Sequence, residues 1–514
     1  MNRREFGTEL ASISVCAYAA LKRMSIHDAS GITTDRNRPN ITHGVSAGDL
    51  GYNNATIWSR ANRPSRMIVE VSQDEYFQKV RRFEGPVVLR NDDFAGKVHL
   101  KNLRVGQKQF YRVQFQDLDN SKKYSAPVIG QFNLAARQPR NVRFGWSGDT
   151  AGQGYGIDKS KGGMATYAAI EKQEPDFFVH CGDVCYCDNP FEKELTLDDG
   201  TIWKNIVTES TSKVAETLKE FRENFKYNLL DDNVRQMNAK VPIFAQWDDH
   251  EVVNNWYPGE ILDDDRYTVK SVSLLAARAK KAFFEIMPIR QSYQQTIYRK
   301  IDYGPLLSLF FLDLRSRKGP NSENRQTVRG ADTSYMGRQQ LRWLKLQLSL
   351  CRATWKFISI GMPIGLVVKD GGNFENCANG NGPARGRELE VADLLQFIKE
   401  NNIENVVFLT ADVHHAASHY YKPNRAKFTQ FNPFWEFVSG PLHAGTFGPN
   451  ELDNTFGPKV RFNSVPDGME QNRPPSEGLQ FFGIVNIDAE SKVANVAHFN
   501  RAGEKIWNID LQPA

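Results

Sequence analysis

No apolar run in the 514-residue chain reaches the length needed to cross a bilayer, which excludes a transmembrane helix. Charge of one sign is also missing. Lys and Arg total 65 against 60 Asp and Glu, and the resulting +5 is dispersed, so the electrostatic footprint of a nucleic-acid binder is absent. Cysteine is scarce, with six in the whole chain. If the N-terminal segment carrying Cys16 is removed, five remain and at least one thiol is unpaired in any compartment. Cys185 and Cys187 are too close in an extended chain to bridge easily, and no second cysteine pair supports a zinc site, so they read as buried thiols. Internal repeats and low-complexity tracts are lacking as well. What is present is a globular composition, 40% hydrophobic and 11% aromatic, in a chain longer than one core usually supports. Two domains are the expectation.

The first residues, MNRREFGTELASISVCAYAALKR, place Arg3-Arg4 before Phe6, a modestly apolar stretch from Leu10, and a small-residue Ala17-Tyr18-Ala19 site. This order resembles a twin-arginine export signal, so residues 1–30 are expected to be signal and linker, with the twin-arginine translocation machinery as partner and a periplasmic or secreted destination. Glu9 departs from that pattern, and a cytosolic N-terminal helix is the alternative. Residues 42–136 read as a β domain, with short strand-like runs at 55–59, 67–71, 97–100 and 110–115 between Gly, Pro, Asn and Asp clusters. It carries no histidine or acid cluster, so its expected role is structural, shielding or substrate-shaping. Arg137 to Arg140 is a linker, and residues 141–514 follow another rhythm. Strands at 143–147, 176–181, 241–247, 306–312, 355–360, 405–410 and 435–439 alternate with amphipathic helices near 214–227, 273–286, 338–350 and 388–401. The tail returns to strands at 481–487, 492–498 and 505–509, so the sheet system is mixed.

This second part is organised around Asp176 to Asp188, DFFVHCGDVCYCD. The run Phe177 to Cys181 suits a strand buried on both faces, and Gly182 breaks it so that Asp183 emerges just beyond the carboxyl end, where open α/β sheets place their chemistry. A carboxylate there and a phenol three residues on supply two hard oxygen ligands to one ion, and the second carboxylate oxygen is free to reach another. Three further strands end alike, in Ser147-Gly148-Asp149-Thr150, in Trp247-Asp248-Asp249-His250-Glu251 and in Ala411-Asp412-Val413-His414-His415. Any one of Asp149, Asp249 or Asp412 is equally well a turn former or helix cap. His415 and His419 read as surface or supporting residues rather than ligands. Four Asp-bearing strand ends are nevertheless hard to obtain as four caps, and oxygen donors with one or two imidazoles suit Fe, Mn, Ca or Mg better than thiolate zinc. A dinuclear centre is the economical interpretation.

In this order and behind a β-sandwich, Gly-Asp, Gly-Asp-x-x-Tyr, Trp-Asp-Asp-His-Glu-x-x-Asn-Asn and Asp-x-His resemble the PhoD-type alkaline phosphatase/phosphodiesterase family of metallophosphoesterases, which is akin to purple acid phosphatases. HGVSAGD (His43 to Asp49) belongs to the likeness, and WDDHEVVNNW (Trp247 to Trp256) is its most specific motif. The resemblance implies an α/β metallophosphatase sandwich of two mixed β-sheets flanked by helices, preceded by a fibronectin-III-like all-β sandwich. It implies that Asp149, Asp183, Tyr186 and Asp412 hold an Fe(III)-like ion with Asp183 bridging, and that Asp249, His414 and Asn255 serve a second site, commonly Ca(II), with Zn, Mn or Mg as other occupants. Some family members carry a cysteine where Asp149 stands, and Ala411 replaces the usual glycine. The chemistry implied is hydrolysis of phosphate mono- and diesters without a covalent intermediate, two cations roughly 3.5 to 4 Å apart activating a water. His250 then faces the phosphate as its proton donor or oxyanion stabiliser. Arg315 and Arg317, just after FFLDLR, are candidates to clamp the remaining oxygens, or else a solvated pair. Competing readings are a phospholipase D-like phosphodiesterase acting on lipids and a secreted metal- or phosphate-binding module without activity.

Overall fold

Alternation of inward apolar and outward polar residues builds the first part of the molecule. In Lys108–Asp117, Tyr111, Val113 and Phe115 point inward between exposed or half-buried polar neighbours. The computed structural model describes residues 37–290 and 295–514, so the export-signal reading lies outside the described residues. Ile41–Gly48, Ala55–Ala61 and Ala95–Leu100 form a three-stranded antiparallel sheet. It packs on a four-stranded one ordered Arg81–Val88, Ser65–Ser72, Lys108–Asp117, Val128–Asn133. Val45, Ala47 and Ile57 meet Met67, Val69 and Val113 between them, the three-on-four pairing expected of a fibronectin-III-like sandwich.

Continuously apolar strands build the remainder. A six-stranded mixed sheet runs Ile243–Ala245, Phe177–His180, Val142–Ser147, Phe481–Ile487, Ala494–Asn500, Lys505–Leu511, parallel among the first three and antiparallel through the tail. A seven-stranded sheet runs Arg299–Asp302, Leu307–Phe311, Trp355–Ser359, Val406–Thr410, Phe434–Val438, Ala417–Tyr421, Pro458–Asn463, with a parallel centre. The sheets face one another across Phe144, Val179, Phe244, Phe311, Phe357 and Leu409. The ring of Phe144 meets that of Phe357 edge-on at 5.3 Å. Helices cover both outer faces. Ala165–Lys172, Leu218–Tyr227 and Val272–Ile286 pack on Phe178 and Ile484, and Arg338–Leu350 and Glu388–Glu400 pack on Ile358 and Phe408. The helix expected from residue 214 begins at Leu218, because Thr217 and Glu220 form a reciprocal capping box that fixes its start.

The two parts are joined by directed bonds as well as by packing. Trp58 Nε1 donates to the carbonyl of Glu285 at 2.9 Å. Lys97 Nζ donates to the carbonyls of Phe284, Met287 (3.2 Å) and Ile289 (3.3 Å) at the C-terminal end of Val272–Ile286, where a cation offsets the helix dipole. Asp49 accepts from Arg290 N and Arg299 Nε, each at 2.9 Å.

Candidate metal centre

Three parallel strands, Val142–Ser147, Phe177–His180 and Val406–Thr410, turn abruptly where they leave their sheets, and a residue just beyond each takes a left-handed backbone. φ is 65° at Asp149, 52° at Asp183 and 74° at Asp412, with 57° at His414 and 59° at Asn255. Asp, Asn and His are the side-chain-bearing residues that tolerate this region best, and such conformations gather at functional sites. The turns aim side chains from both sheets at one spot. Asp412 N donates to Asp149 Oδ1 (3.3 Å), and His250 N donates to Asp183 Oδ1 (3.1 Å). Tyr186 OH lies 3.3 Å from Asp183 Oδ2 and 2.7 Å from His414 Nε2. Asn255 N donates to Asp249 Oδ2 at 2.7 Å.

Three overlapping groups place their potential ligand atoms within 4.8 Å of one another: Asp149 with Asp183 and His414, Asp183 with Asp249 and His250, and Asp248 with Asp249 and Asp412. Asp183 and Asp249 each belong to two of them. The grouping differs from the expected one, since His414 falls with Asp149 rather than with Asp249, and Asp412 falls with Asp249. The cause is the turn Asp412-Val413-His414, in which both named residues are left-handed, so their side chains diverge toward different neighbours.

The donor set fits cations. Asp149 Oδ2 and Asp412 Oδ2 are buried with no hydrogen-bond partner, and Asp249 Oδ1 has only its ion pair with Arg315 at 3.3 Å; leaving such atoms unmet costs roughly 1 to 3 kcal/mol each, more when charged. Burial, and next the field of Asp248, pushes the Asp149 carboxyl well above its usual range; for Asp183 the causes are burial and Asp249, and for Asp412 burial and Glu375. Burial and Asp183 likewise raise the Tyr186 phenol. A cation among these groups reverses the sign for every one of them. Close approach is built into the surrounding backbone, because a Cβ on Gly440 would collide with Asp149 Oδ2 and one on Gly152 with the Tyr186 ring.

His250 is the cationic side of the site. Burial opposes its charge, but Asp188 and then Asp249 outweigh burial and raise it to about 9. Nδ1 lies 2.9 and 3.0 Å from the two oxygens of Asp188, and the ring stacks on Tyr186 at 4.1 Å. His414 differs, burial lowering it to about 4, with Nδ1 on the Gly445 carbonyl at 2.6 Å.

Arg315 and Arg317 require correction as oxygen clamps. Arg315 is fully buried, binding Asp248 at 2.6 and 3.0 Å, Asp249 at 3.3 Å, Asp412 at 3.4 Å and also Glu375, so its donors are already occupied beneath the carboxylates. Its charge lowers the Asp249 carboxyl against the effect of burial. Arg317 turns away, with its guanidinium over the Tyr298 ring and its stem against Gly337. His415 and His419 are each only 1% exposed, so neither is a surface residue. His419 lies 3.4 Å from Glu436, and His415 packs under Gly448. Cys185 and Cys187 are buried and free with their sulfurs 3.6 Å apart, as buried thiols.

Sequence reasoning missed several supports. Asp188 ends the segment already singled out, yet nothing local ties it to His250. Glu251 is fully buried and accepts from Val184 N (2.6 Å) and Asp248 N (2.8 Å), so it locks two of the turns together; burial raises it to about 8. Asp249, His250, Asn255, Glu375, Asp412 and His414 all face one cavity of about 570 Å³, walled on another side by Val367, Val368, Phe447 and Pro449.

Comparison with known proteins agrees with this architecture. Among solved structures, one described as PhoD superposes with a TM-score of 0.66 over 92% of this chain and 94% of its own, at 19% identity. The purple acid phosphatase PPD1 from yellow lupin (Lupinus luteus) seeds superposes with a TM-score of 0.55 over 92% of this chain and 74% of its own, at 11% identity. Alkaline phosphatase D of Bacillus subtilis (strain 168) is 25% identical over 404 residues, which span 73% of this chain and 64% of that protein. The family described as PhoD-like phosphatase matches residues 144–498, and its N-terminal domain matches residues 26–136. Because the match over residues 144–498 alone takes in most of the 514 residues, the chain belongs to the PhoD-like phosphatase family.

Proposed function

We propose that the protein is an exported, metal-dependent phosphoric ester hydrolase of the alkaline phosphatase D type, with residues 42–136 as an accessory sandwich and 141–514 as the catalytic domain. One observation carries this reading: buried carboxylates, two of them with unpartnered oxygens, converge beside the Asp188-bound imidazole of His250 at an open cavity. Asp149, Asp183, Tyr186 and His414 would hold one cation, Fe(III) by resemblance, and Asp183, Asp249, Asn255 and Asp412 a second, Ca(II). When bound, the cations supply Lewis acidity toward the phosphoryl oxygens and lower the pKa of an attacking water.

The chain's own groups do the rest. Asp188 takes the proton side of Nδ1, so Nε2 of His250 points into the cavity with a proton available for the departing ester oxygen. Stacking on Tyr186 fixes the plane of that ring. Arg315 partly neutralises Asp248, Asp249 and Asp412 from below, which lets so many acids share one pocket.

The test is turnover of an aryl phosphate monoester and an aryl diester at alkaline pH by protein purified without chelator, together with elemental analysis. Metal in near-stoichiometric amount and chelator-sensitive hydrolysis are expected. No hydrolysis of either ester by fully metallated protein sinks the enzyme reading. A purple colour lost in Tyr186→Phe would identify the iron, whereas a colourless active enzyme removes only the ferric assignment.

A further inference from the structure

Three polar groups of Asn255 are engaged in ways that decide where the fourth must face. Its backbone N–H donates to Asp249 Oδ2 (2.7 Å), and its carbonyl accepts from Asn321 Nδ2 (2.8 Å). Its side-chain NH₂ donates to Asp370 Oδ1 (3.1 Å), while Asp370 Oδ2 accepts from the same Asn321 Nδ2 (2.8 Å). An ionised carboxylate only accepts, so Asp370 requires the nitrogen end of the Asn255 amide. The oxygen end is thereby left for the cavity that Asn255 lines beside Asp249. The two ends of an amide are nearly equal in size, so packing does not choose between them; the hydrogen-bond partner does.

Asp370 itself sits in a two-stranded hairpin, Lys369–Asp370 paired with Asn373–Phe374. Lys369 of the hairpin, with Val367, Val368 and Glu375 on either side of it, forms part of the wall of the same cavity.

We propose that Asp370 is a positioning residue that turns the Asn255 amide oxygen toward the second cation site and so ties the hairpin wall of the cavity to occupancy of that site. The inference rests on the metal-centre reading above. A reversed amide presents two N–H donors to a cation and no lone pair, so loss of the selector weakens binding without removing a ligand atom. Because coupling is reciprocal, a cation held by Asn255 also holds the hairpin against the cavity.

The full chain, stripped of its more labile ion with a chelator, is titrated with Ca(II), Mn(II) and Zn(II) in turn, and bound metal per chain and the metal-dependent rise in Tm are recorded. Asp370→Asn keeps the shape of the side chain but accepts either end of the amide. It is expected to raise the half-saturating metal concentration 10- to 100-fold, the range seen when a ligand's supporting partner is lost. Its metal-free Tm stays at the wild-type value, and kcat returns toward wild type at saturating metal. Asn255→Ala is expected to weaken the same ion at least as much. Wild-type metal affinity in Asp370→Asn alongside a weakened Asn255→Ala overturns the inference alone. Wild-type affinity in Asn255→Ala removes Asn255 as a ligand and this inference with it, and a wild type that regains none of the three ions defeats the metal-centre reading itself.

Discussion

Asp188 and Asp249 raise His250 above its ordinary value against the effect of burial, so the two acids have separable consequences. His250→Gln is expected to lower kcat roughly 10²- to 10⁴-fold, the usual contribution of a positioned proton donor. The loss is larger for alkyl than for aryl esters, whose leaving groups need little protonation; an equal loss on both would remove the proton-donor role. Asp188→Asn withdraws the nearer charge, so the alkaline limb of the rate profile is expected to move to lower pH, read from kcat between pH 6 and 10. Linkage gives a related expectation for stability. The folded value of about 9 stands above the ordinary 6.5, so in chelated protein the His250 contribution is complete below pH 6.5 and lost as pH rises through 9. Asp149, Asp183 and Asp412, also raised in the folded state, act in the same sense from about pH 4 upward. Asp249 and His414, lowered in the folded state, act in the opposite sense below pH 6.5, so the loss carried by the centre is expected between about pH 6.5 and 9, and the Tm gained on adding metal to widen over that range. A gain independent of pH would contradict the convergence of these acids.

At the scale of elements, the turns after the strands carry the proposed ligands, and the glycines packed against them are as exposed to substitution as the acids. Gly152→Ala drives a methyl into the Tyr186 ring, so colour or metal content is expected to fall although every ligand remains. Retention of wild-type metal content would show that the ring can yield. These turns were legible because their signal is local: an apolar run, a small residue, an acid. The helix Arg338–Leu350 was legible for the same reason, its Leu341, Leu344 and Leu348 repeating at helical spacing. Asp232–Lys240 was not, since only Val234 and Met237 of its nine residues are buried and two apolar positions make no period. Ala417–Tyr421 buries Ser418 and His419 on polar partners, so its composition hides a strand. The same limit hid the role of Arg315, because four carboxylates reach it from segments far apart in sequence, and no spacing rule encodes such a meeting.

For the whole molecule, one apolar cluster runs from the N-terminal sandwich into the space between the two mixed sheets, taking in Val45, Val113, Phe144, Phe244 and Phe357. The sandwich therefore shares its core with the two mixed sheets. Trp58→Ala, which empties a fully buried site and removes the bond to Glu285, is expected to cost about 3 to 5 kcal/mol in denaturant unfolding. Sandwich and catalytic sheets are expected to unfold in one transition; two separated transitions would show independent modules.

The bond from Asp412 N to Asp149 Oδ1 spans 263 residues of chain. In the proposed centre each cation group draws on Asp412 or His414, so a nascent polypeptide that has not yet reached residue 412 holds neither group complete, and the site closes only after that turn is made.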